Sequence, residues 1–217
     1  MTTLATMKAE IADELARADL TGIIATSITE AIKFYQSTRF SFHTVTGDDF
    51  YFTTVANQEF YDRYDHHMID NIREIDCVVL EVGTSSWTMH PVKMEFFETL
   101  ISAATGEPSS YNYSNNRFRL YPVPLDSSHT IRVTAHVDRD GPATDDETCN
   151  PWMNEASLLI KSRALVNVMR KINLSKIGDP YSKQDLLMYR EMELEALQDL
   201  KGSSNMQDST MGRVESY

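Results

Sequence analysis

The spacing of apolar residues changes twice along the chain, and this change constrains the fold more than any other feature. Near the start, Leu4, Met7 and Ile11 lie three or four residues apart, and the same spacing returns late in the sequence at Leu186 and Tyr189. Between these parts, apolar residues alternate with polar ones in several short stretches. A repeat of 3.6 residues marks one face of a helix and a repeat of two marks one face of a strand. The sequence therefore predicts helices, then a long β-rich middle, then helices again.

Capping and breaking residues bound the predicted helices. Asn150 followed by Pro151 favours a helix start, because asparagine caps the free N–H groups and proline suits the first helical position. Gly202 is predicted to end the last helix. The two helices at the start of the chain are joined by a tight connection, so we expect them to pack antiparallel. The predicted helices span residues 3–17, 21–35, 150–174 and 180–202.

The middle of the chain favours strands. Residues 40–45 and 50–55 alternate around Gly47-Asp48-Asp49, which predicts a β-hairpin. Residues 91–104 have helical spacing after a proline and predict a short helix. The prolines of residues 121–124 lack N–H donors, so we expect a turn there. Further predicted strands cover residues 72–81, 87–90, 117–121 and 130–137.

These elements together predict an α+β fold. The N-terminal helix pair and the C-terminal helix pair form a helical bundle, into which an antiparallel β module is inserted. The predicted domains are a helical bundle domain from residues 1–38 and 150–202, an inserted β-rich domain of residues 39–149, and a flexible C-terminal tail of residues 203–217. The tail holds almost no apolar material, so we expect it to be disordered in the isolated chain.

The charge of the chain limits the partners it can have. Its 217 residues carry 20 Lys and Arg against 32 Asp and Glu, which gives a formal net charge of −12. Such a field repels polyanions and anionic lipids at long range. No apolar run approaches the roughly 20 residues of a membrane span. Composition therefore argues against a sequence-independent nucleic-acid binder and against a membrane protein.

One stretch reverses the charge. Residues 155–176 carry five basic side chains against Glu155 alone, for a local net charge of +4. One interpretation is a solvated helix face near an acidic helix, and the other is a contact to DNA phosphates or to an acidic protein surface. Residues 59–81 are the acidic counterpart, with a local net charge of −5. The basic residues are Lys161, Arg163, Arg170, Lys171 and Lys176.

No pattern in the sequence predicts catalysis, a cofactor or a metal. Cys77 lies within an apolar strand, and Cys149 has acidic neighbours that would raise the pKa of its thiol. Two cysteines cannot form a disulfide framework, so we expect synthesis in a reducing cytosol. The segment from Asp62 to Asp70 is the densest group of possible metal ligands, but its neighbouring histidines point to different sides. We expect no catalytic residues, no cofactor and no metal.

The order of segments resembles a known family, the head-to-tail adaptor (connector) proteins of tailed bacteriophages, especially those with short tails. The matching segments cover most of residues 1–175, and it is their order that makes the resemblance specific. Residues 83–104 and the tail match no pattern of the family. The segments that carry the resemblance are LATMKAEIADEL at 4–15, AIKFY at 31–35, RFSF at 39–42, FTTVANQEFY at 52–61, the strand at 72–80, GEP at 106–108, LYPVP at 120–124, NPW at 150–152 and ASLLIKSRA at 156–164.

The resemblance implies a structural virion protein rather than an enzyme. Members form a homo-oligomeric ring, a dodecamer, beneath the portal protein, extend its DNA channel and offer a docking surface to tail, nozzle or tail-tube proteins. The implied location is the neck of the virion, after synthesis in the host cytoplasm. Genomic DNA would pass through without sequence-specific binding, and no membrane is involved. An acidic channel wall would keep DNA from sticking.

Two further hypotheses concern the tail and the alternatives. The tail is predicted to dock on the portal through Met211, Arg213, Val214 and Tyr217. A tail-tube or tail-completion protein of the neck is an alternative within the same class. A DNA-binding regulator that uses the basic helix is the alternative from a different class, and it predicts salt-dependent binding to duplex DNA.

Overall fold

Two units make up the chain, one helical and one rich in strands. The computed structural model describes residues 2–99, 104–175 and 181–211, and beyond Gly202 it describes the helical backbone only. The helical unit combines the residues up to Phe42 with those from Arg139 onward, and the β unit spans His43–Asp138. The sequence predicts these boundaries after Thr38 and after Cys149, so the observed β unit is shorter at both ends.

Six α-helices and eleven strands are described. The helices are α1 (Leu4–Glu14), α2 (Thr21–Tyr35), α3 (Met94–Glu98), α4 (Pro151–Asn154), α5 (Ser157–Ser175) and α6 (Lys183–Met211). The strands are β1 (Thr44–Val45), β2 (Tyr51–Thr53), β3 (Phe60–Tyr61), β4 (Ile72–Val82), β5 (Ser85–Thr88), β6 (His90–Pro91), β7 (Thr105–Gly106), β8 (Ser110–Ser114), β9 (Arg117–Tyr121), β10 (Val123–Pro124) and β11 (Thr130–Val137). This arrangement confirms the α+β class.

The helical unit is built around α5, which is buried on most of its circumference. Its core takes Met7 and Ile11 from α1 and Ile24 and Ile28 from α2, all at most 1 % exposed. Helix α4 starts as predicted, with the side chain of Asn150 accepting a hydrogen bond from the N–H of Trp152. The predicted single helix over 150–174 is in fact two, because the chain leaves the helix after Asn154 and restarts at Ser157.

The β-hairpin predicted over residues 40–55 is wrong. Strands β1 and β2 do not pair with each other, because each pairs antiparallel with β11. Phe40 and Phe42 precede the strands and belong to the helical core, where their rings lie 6.1 and 5.2 Å from that of Trp152. Both phenylalanines pack on the tryptophan in the helical core, and this contact explains why the helical unit extends to Phe42.

The main sheet of the β unit has five strands. Strand β11 is central, with β4 on one side and β1 and β2 on the other, and β5 follows β4 at the edge. A second sheet has the order β3-β9-β8-β6, and β7 pairs with β10. The predicted strands at 72–81, 117–121 and 130–137 are confirmed as β4, β9 and β11.

Two predicted helices have different limits in the structure. In the described part of the range 91–104, the helical residues are the five of α3, and Pro91 lies in strand β6. Leu100 and Ile101, which suggested the longer helix, lie outside the described residues.

Helix α6 does not end at Gly202 but continues to Met211. A glycine inside a helix costs only about 1 kcal/mol relative to alanine, so it does not by itself end a helix. The backbone of residues 203–211 continues α6 in the structure.

Candidate functional site

Lys161 of α5 is held by two carboxylates of α1. Its ammonium nitrogen lies 2.9 Å from Glu10 and 2.6 Å from Glu14. Burial by itself lowers the pKa of Lys161, but the hydrogen bonds to Glu14 and Glu10 outweigh it, so the pKa is raised. Lys161 thus stays charged and ties α5 to α1.

Arg163 takes part in a buried cluster that joins α2, α5 and α6. Its guanidinium donates to Oε1 of Glu193 at 2.9 Å, and the hydroxyl of Tyr35 donates to the same oxygen at 2.5 Å. The guanidinium also lies over the ring of Phe34, 3.8 Å from its centroid. Glu193 is only 6 % exposed. Burial and the hydrogen bond to Glu193 raise the pKa of Tyr35, which keeps the phenol a donor.

The other basic residues of the helix have different surroundings. Lys171 lies 2.8 Å from a carboxylate oxygen of Glu30 and 3.2 Å from the hydroxyl oxygen of Ser27, both on α2. Arg170 is exposed and makes no ion pair within the described parts of the chain. Lys176 lies outside the described residues.

These basic residues do not form one free surface. Lys161 faces α1, Arg163 faces α2 and α6, and Lys171 faces α2, so three of the four described side chains are neutralised within their own unit. The sequence could not show this, because the partners of Lys161 and Arg163 lie 151 and 30 residues away. This pairing weakens the interpretation of α5 as a DNA-binding face, since counterion release needs cations that are free to meet phosphates.

The acidic segment of residues 59–81 is also paired internally. Glu59 lies 2.6 Å from Arg119, and Glu81 lies 2.8 Å from Arg132. Arg132 is shared with Asp48 and donates to the carbonyl of Gly47 at 3.1 Å. Glu59 and Glu81 of this segment are therefore engaged within the β unit.

The segment from Asp62 to Asp70 begins with a turn and ends in a short 3-10 helix. Asp62 accepts from the N–H of Tyr64 at 2.9 Å, and Asp65 accepts from the N–H of Asp62 at 2.8 Å. The ring of His66 stacks on Phe50, and burial together with the charge of His67 lowers the pKa of His66. No three His, Cys, Asp or Glu side chains within the described ranges are grouped to hold a metal ion.

The two cysteines and the tail residues are placed as follows. Cys77 is half-buried in β4 and Cys149 is exposed. Met211 is the last residue of α6. Arg213, Val214 and Tyr217 lie outside the described residues, so the portal-docking tail remains a prediction.

A groove of 420 Å³ in the helical unit has no signal in the sequence. It lies beside α2 and the segment that begins at Arg139. Gln36 donates there to the carbonyl of Arg139 at 3.0 Å. The groove is formed by residues more than 100 positions apart, so no local motif could reveal it. Its walls include Leu4, Ile28, Ile32, Lys33, Gln36 and Pro142.

Comparison with known proteins shows the class of protein and the family to which this chain belongs. The family model described as SU10 adaptor protein matches residues 2–215, which places the chain among structural adaptor proteins of bacteriophages. The match covers nearly the whole chain, and the protein belongs to the SU10 adaptor family. A comparison with curated proteins finds no match. Among the described helices, none is both long and apolar enough to span a membrane.

Proposed function

We propose that this protein forms the ring that joins the portal to the tail in a bacteriophage particle of the short-tailed type. The observation that carries the proposal is the family match over residues 2–215. In this role the protein is a dodecamer in the virion neck, without catalytic activity, cofactor or metal. It binds the portal protein on one side and tail, nozzle or tail-tube proteins on the other.

The charge distribution supports a channel through which DNA passes freely. The chain has a net charge of −12, and most described basic side chains of α5 are paired with carboxylates. A surface that offers phosphates few free cations has little electrostatic affinity for DNA. Helix α5 is also mostly buried, so it is poorly placed to line a channel.

The C-terminal segment is the proposed contact to the portal. Helix α6 continues to Met211, whereas Leu200 is the last of its described side chains that packs on the helical core. We propose that Met211, Arg213, Val214 and Tyr217 dock on the portal at the end of this helix. A segment that orders only on its partner needs no core of its own.

Two truncations test this contact. Removal of residues 212–217 takes away three of the four proposed contacts but leaves α6 intact, and removal of residues 203–217 takes away part of the helix as well. Both truncated proteins should unfold at the same urea concentration as the full chain and lose co-sedimentation with purified portal. Full portal binding by both would show that the docking segment lies elsewhere.

A DNA-binding assay separates the adaptor from a DNA-binding regulator. The isolated chain should show no salt-dependent binding to a fluorescent duplex between about 50 and 200 mM salt. An Arg170→Ala variant should behave like the unmodified chain. Tight binding that weakens steeply with salt, and weakens further in the variant, would favour the regulator. A pull-down on portal against one on tail proteins distinguishes an adaptor from a tail-completion protein.

A further inference from the structure

The five-stranded sheet of the β unit has two open edges. Strand β5 ends the sheet on one side, and β2 borders β11 on the other. No other strand of the described chain pairs with the outer side of β5 or of β2. An open edge presents unpaired N–H and C=O groups, which are a template for another strand.

On the open side of β5, the free main-chain N–H and C=O groups belong to Ser86 and Thr88. Met89 donates its N–H to the carbonyl of Val78 in β4, and Trp87 lies opposite Leu80 in the same ladder. Because inward and outward groups alternate along an antiparallel strand, the main chains of Trp87 and Ser85 point to β4. Those of Ser86 and Thr88 point away from the sheet.

On the open side of β2, the free main-chain N–H and C=O groups belong to Tyr51 and Thr53. Phe50 accepts at its carbonyl from the N–H of Val133 in β11, and Thr54 donates to the carbonyl of His129. The same alternation turns the main chains of Tyr51 and Thr53 outward. Both side chains are exposed, Tyr51 by 53 %. Each edge therefore presents the main-chain N–H and C=O groups of two residues, which lie two positions apart in the sequence.

The strand directions fit a repeat from one copy to the next. All neighbours in the sheet are antiparallel, so β2 and β4 run one way while β11 and β5 run the other. If a second copy has the same orientation, its β2 is antiparallel to β5 of the first. A contact between two different edges of one sheet is heterologous, and a repeat of such contacts forms a ring when the rotation from copy to copy closes.

The β5 edge carries neither charge nor proline, two of the features that protect edges in monomers. Its sequence, Ser85-Ser86-Trp87-Thr88, contains no charge and no proline, and all four residues are exposed. Trp87 shares the core face with Leu80 but is still 36 % exposed. A strand added at this edge would cover the indole and pair the outward groups.

We propose that β5 of each copy pairs antiparallel with β2 of the next copy, so that the sheet continues from subunit to subunit. The register that uses every outward group sets Ser86 opposite Thr53 and Thr88 opposite Tyr51. This inference rests on the ring of the proposed function and names the surface through which the ring forms.

Disulfide trapping tests the proposal in rings assembled on purified portal. The background is the full chain with Cys77→Ala and Cys149→Ser, which must still form rings. In that background Thr53→Cys with Ser86→Cys places two thiols opposite each other at the predicted contact, with Cβ atoms about 5 Å apart. Oxidation should yield a ladder of covalent multimers without reductant, whereas Ser86→Cys alone should yield none.

Other outcomes overturn the inference in distinct ways. Dimers from Ser86→Cys alone would show that two β5 edges pair with each other, and rings without any cross-link would show that the interface lies elsewhere. If the unmodified chain forms no ring on portal, the proposed function is wrong and this inference falls with it.

A charge variant provides an independent test. Ser86→Lys with Thr88→Lys adds charges at the open edge, and the first of the two new side chains would lie opposite Glu81 of its own subunit. This variant should keep the urea midpoint of the unmodified chain and lose rings by electron microscopy. Ser109→Lys, an exposed position in the other sheet region, should keep both. Rings that persist in the edge variant would contradict the proposal.

Discussion

The carboxylate of Glu193 lies between two donors, Arg163 and Tyr35, in the helical unit. Glu193→Ala would leave a guanidinium that is 18 % exposed without its partner. Breaking one side of a buried pair costs about 3–5 kcal/mol, and we expect about 3 here because Arg163 reaches some solvent. Urea unfolding followed by far-UV circular dichroism measures the loss. Glu195→Ala, an exposed carboxylate on the same helix, should change the free energy of unfolding by less than about 0.5 kcal/mol.

Tyr113 should make the protein sensitive to alkali. Burial, with a contribution from Asp70, raises the pKa of Tyr113 to about 12, and its hydroxyl donates to the carbonyl of Ile69 at 2.6 Å. The unfolded chain titrates near 10, so it releases the proton first and stability falls as the pH rises from about 10 to 12. Urea midpoints at pH 9 and pH 11 should differ less in Tyr113→Phe than in the unmodified chain. Tyr64→Phe, whose ring is 86 % exposed, should keep the full difference.

At the scale of elements, Gly202 lies inside helix α6, which continues through it to Met211. A Cβ added at this position meets nothing within 4 Å. Gly202→Ala should therefore stabilise α6 by up to about 1 kcal/mol and raise the helical signal in circular dichroism. Gly83→Ala is the contrasting variant, because Gly83 has a φ of +60° in the β4–β5 turn and should lose stability. A lower helical signal in Gly202→Ala would contradict the observed course of α6.

Elements defined by their own residues were predictable, whereas those defined by distant partners were not. Strands β9 and β11 match their predicted limits, because alternation and flanking turn residues are local. Phe40 and Phe42 alternate equally well, yet Trp152, more than 100 residues away, draws them into the helical core. A period-two pattern over six residues does not show which layer will bury it.

The same distinction applies to the candidate sites. The excess of positive charge over residues 155–176 is visible in the sequence, but Glu10, Glu14 and Glu193, which neutralise it, are brought close only by packing. The open edges of the sheet depend on strand order, which the sequence predicts only in part. Both sites therefore required the tertiary structure.

At the scale of the whole molecule, the β unit is inserted into the sequence of the helical unit, between Phe42 and Arg139. Arg139 donates from Nε to the carbonyl of Phe42 at 3.2 Å, so the chain leaves and re-enters the helical unit at one place. Residues 1–42 joined to 139–217 by a short Gly-Ser linker should fold into a helical protein. Cooperative unfolding in urea with a strong helical signal would be the expected result. A non-cooperative transition would show that the helical unit needs the β unit to fold.

Helix α6 also fixes a distance. Eighteen residues separate Glu193, where the helix is anchored to Arg163 and Tyr35, from Met211 at its end. At 1.5 Å per residue this is about 27 Å of stiff rod. The end of a flexible segment with the same number of residues would sample many positions. The end of a helix keeps one distance and one direction relative to the residues that anchor it. A partner bound at the end of α6 would therefore lie at a fixed distance from the helical core. A rotation of that partner would be transmitted along the helix to the core.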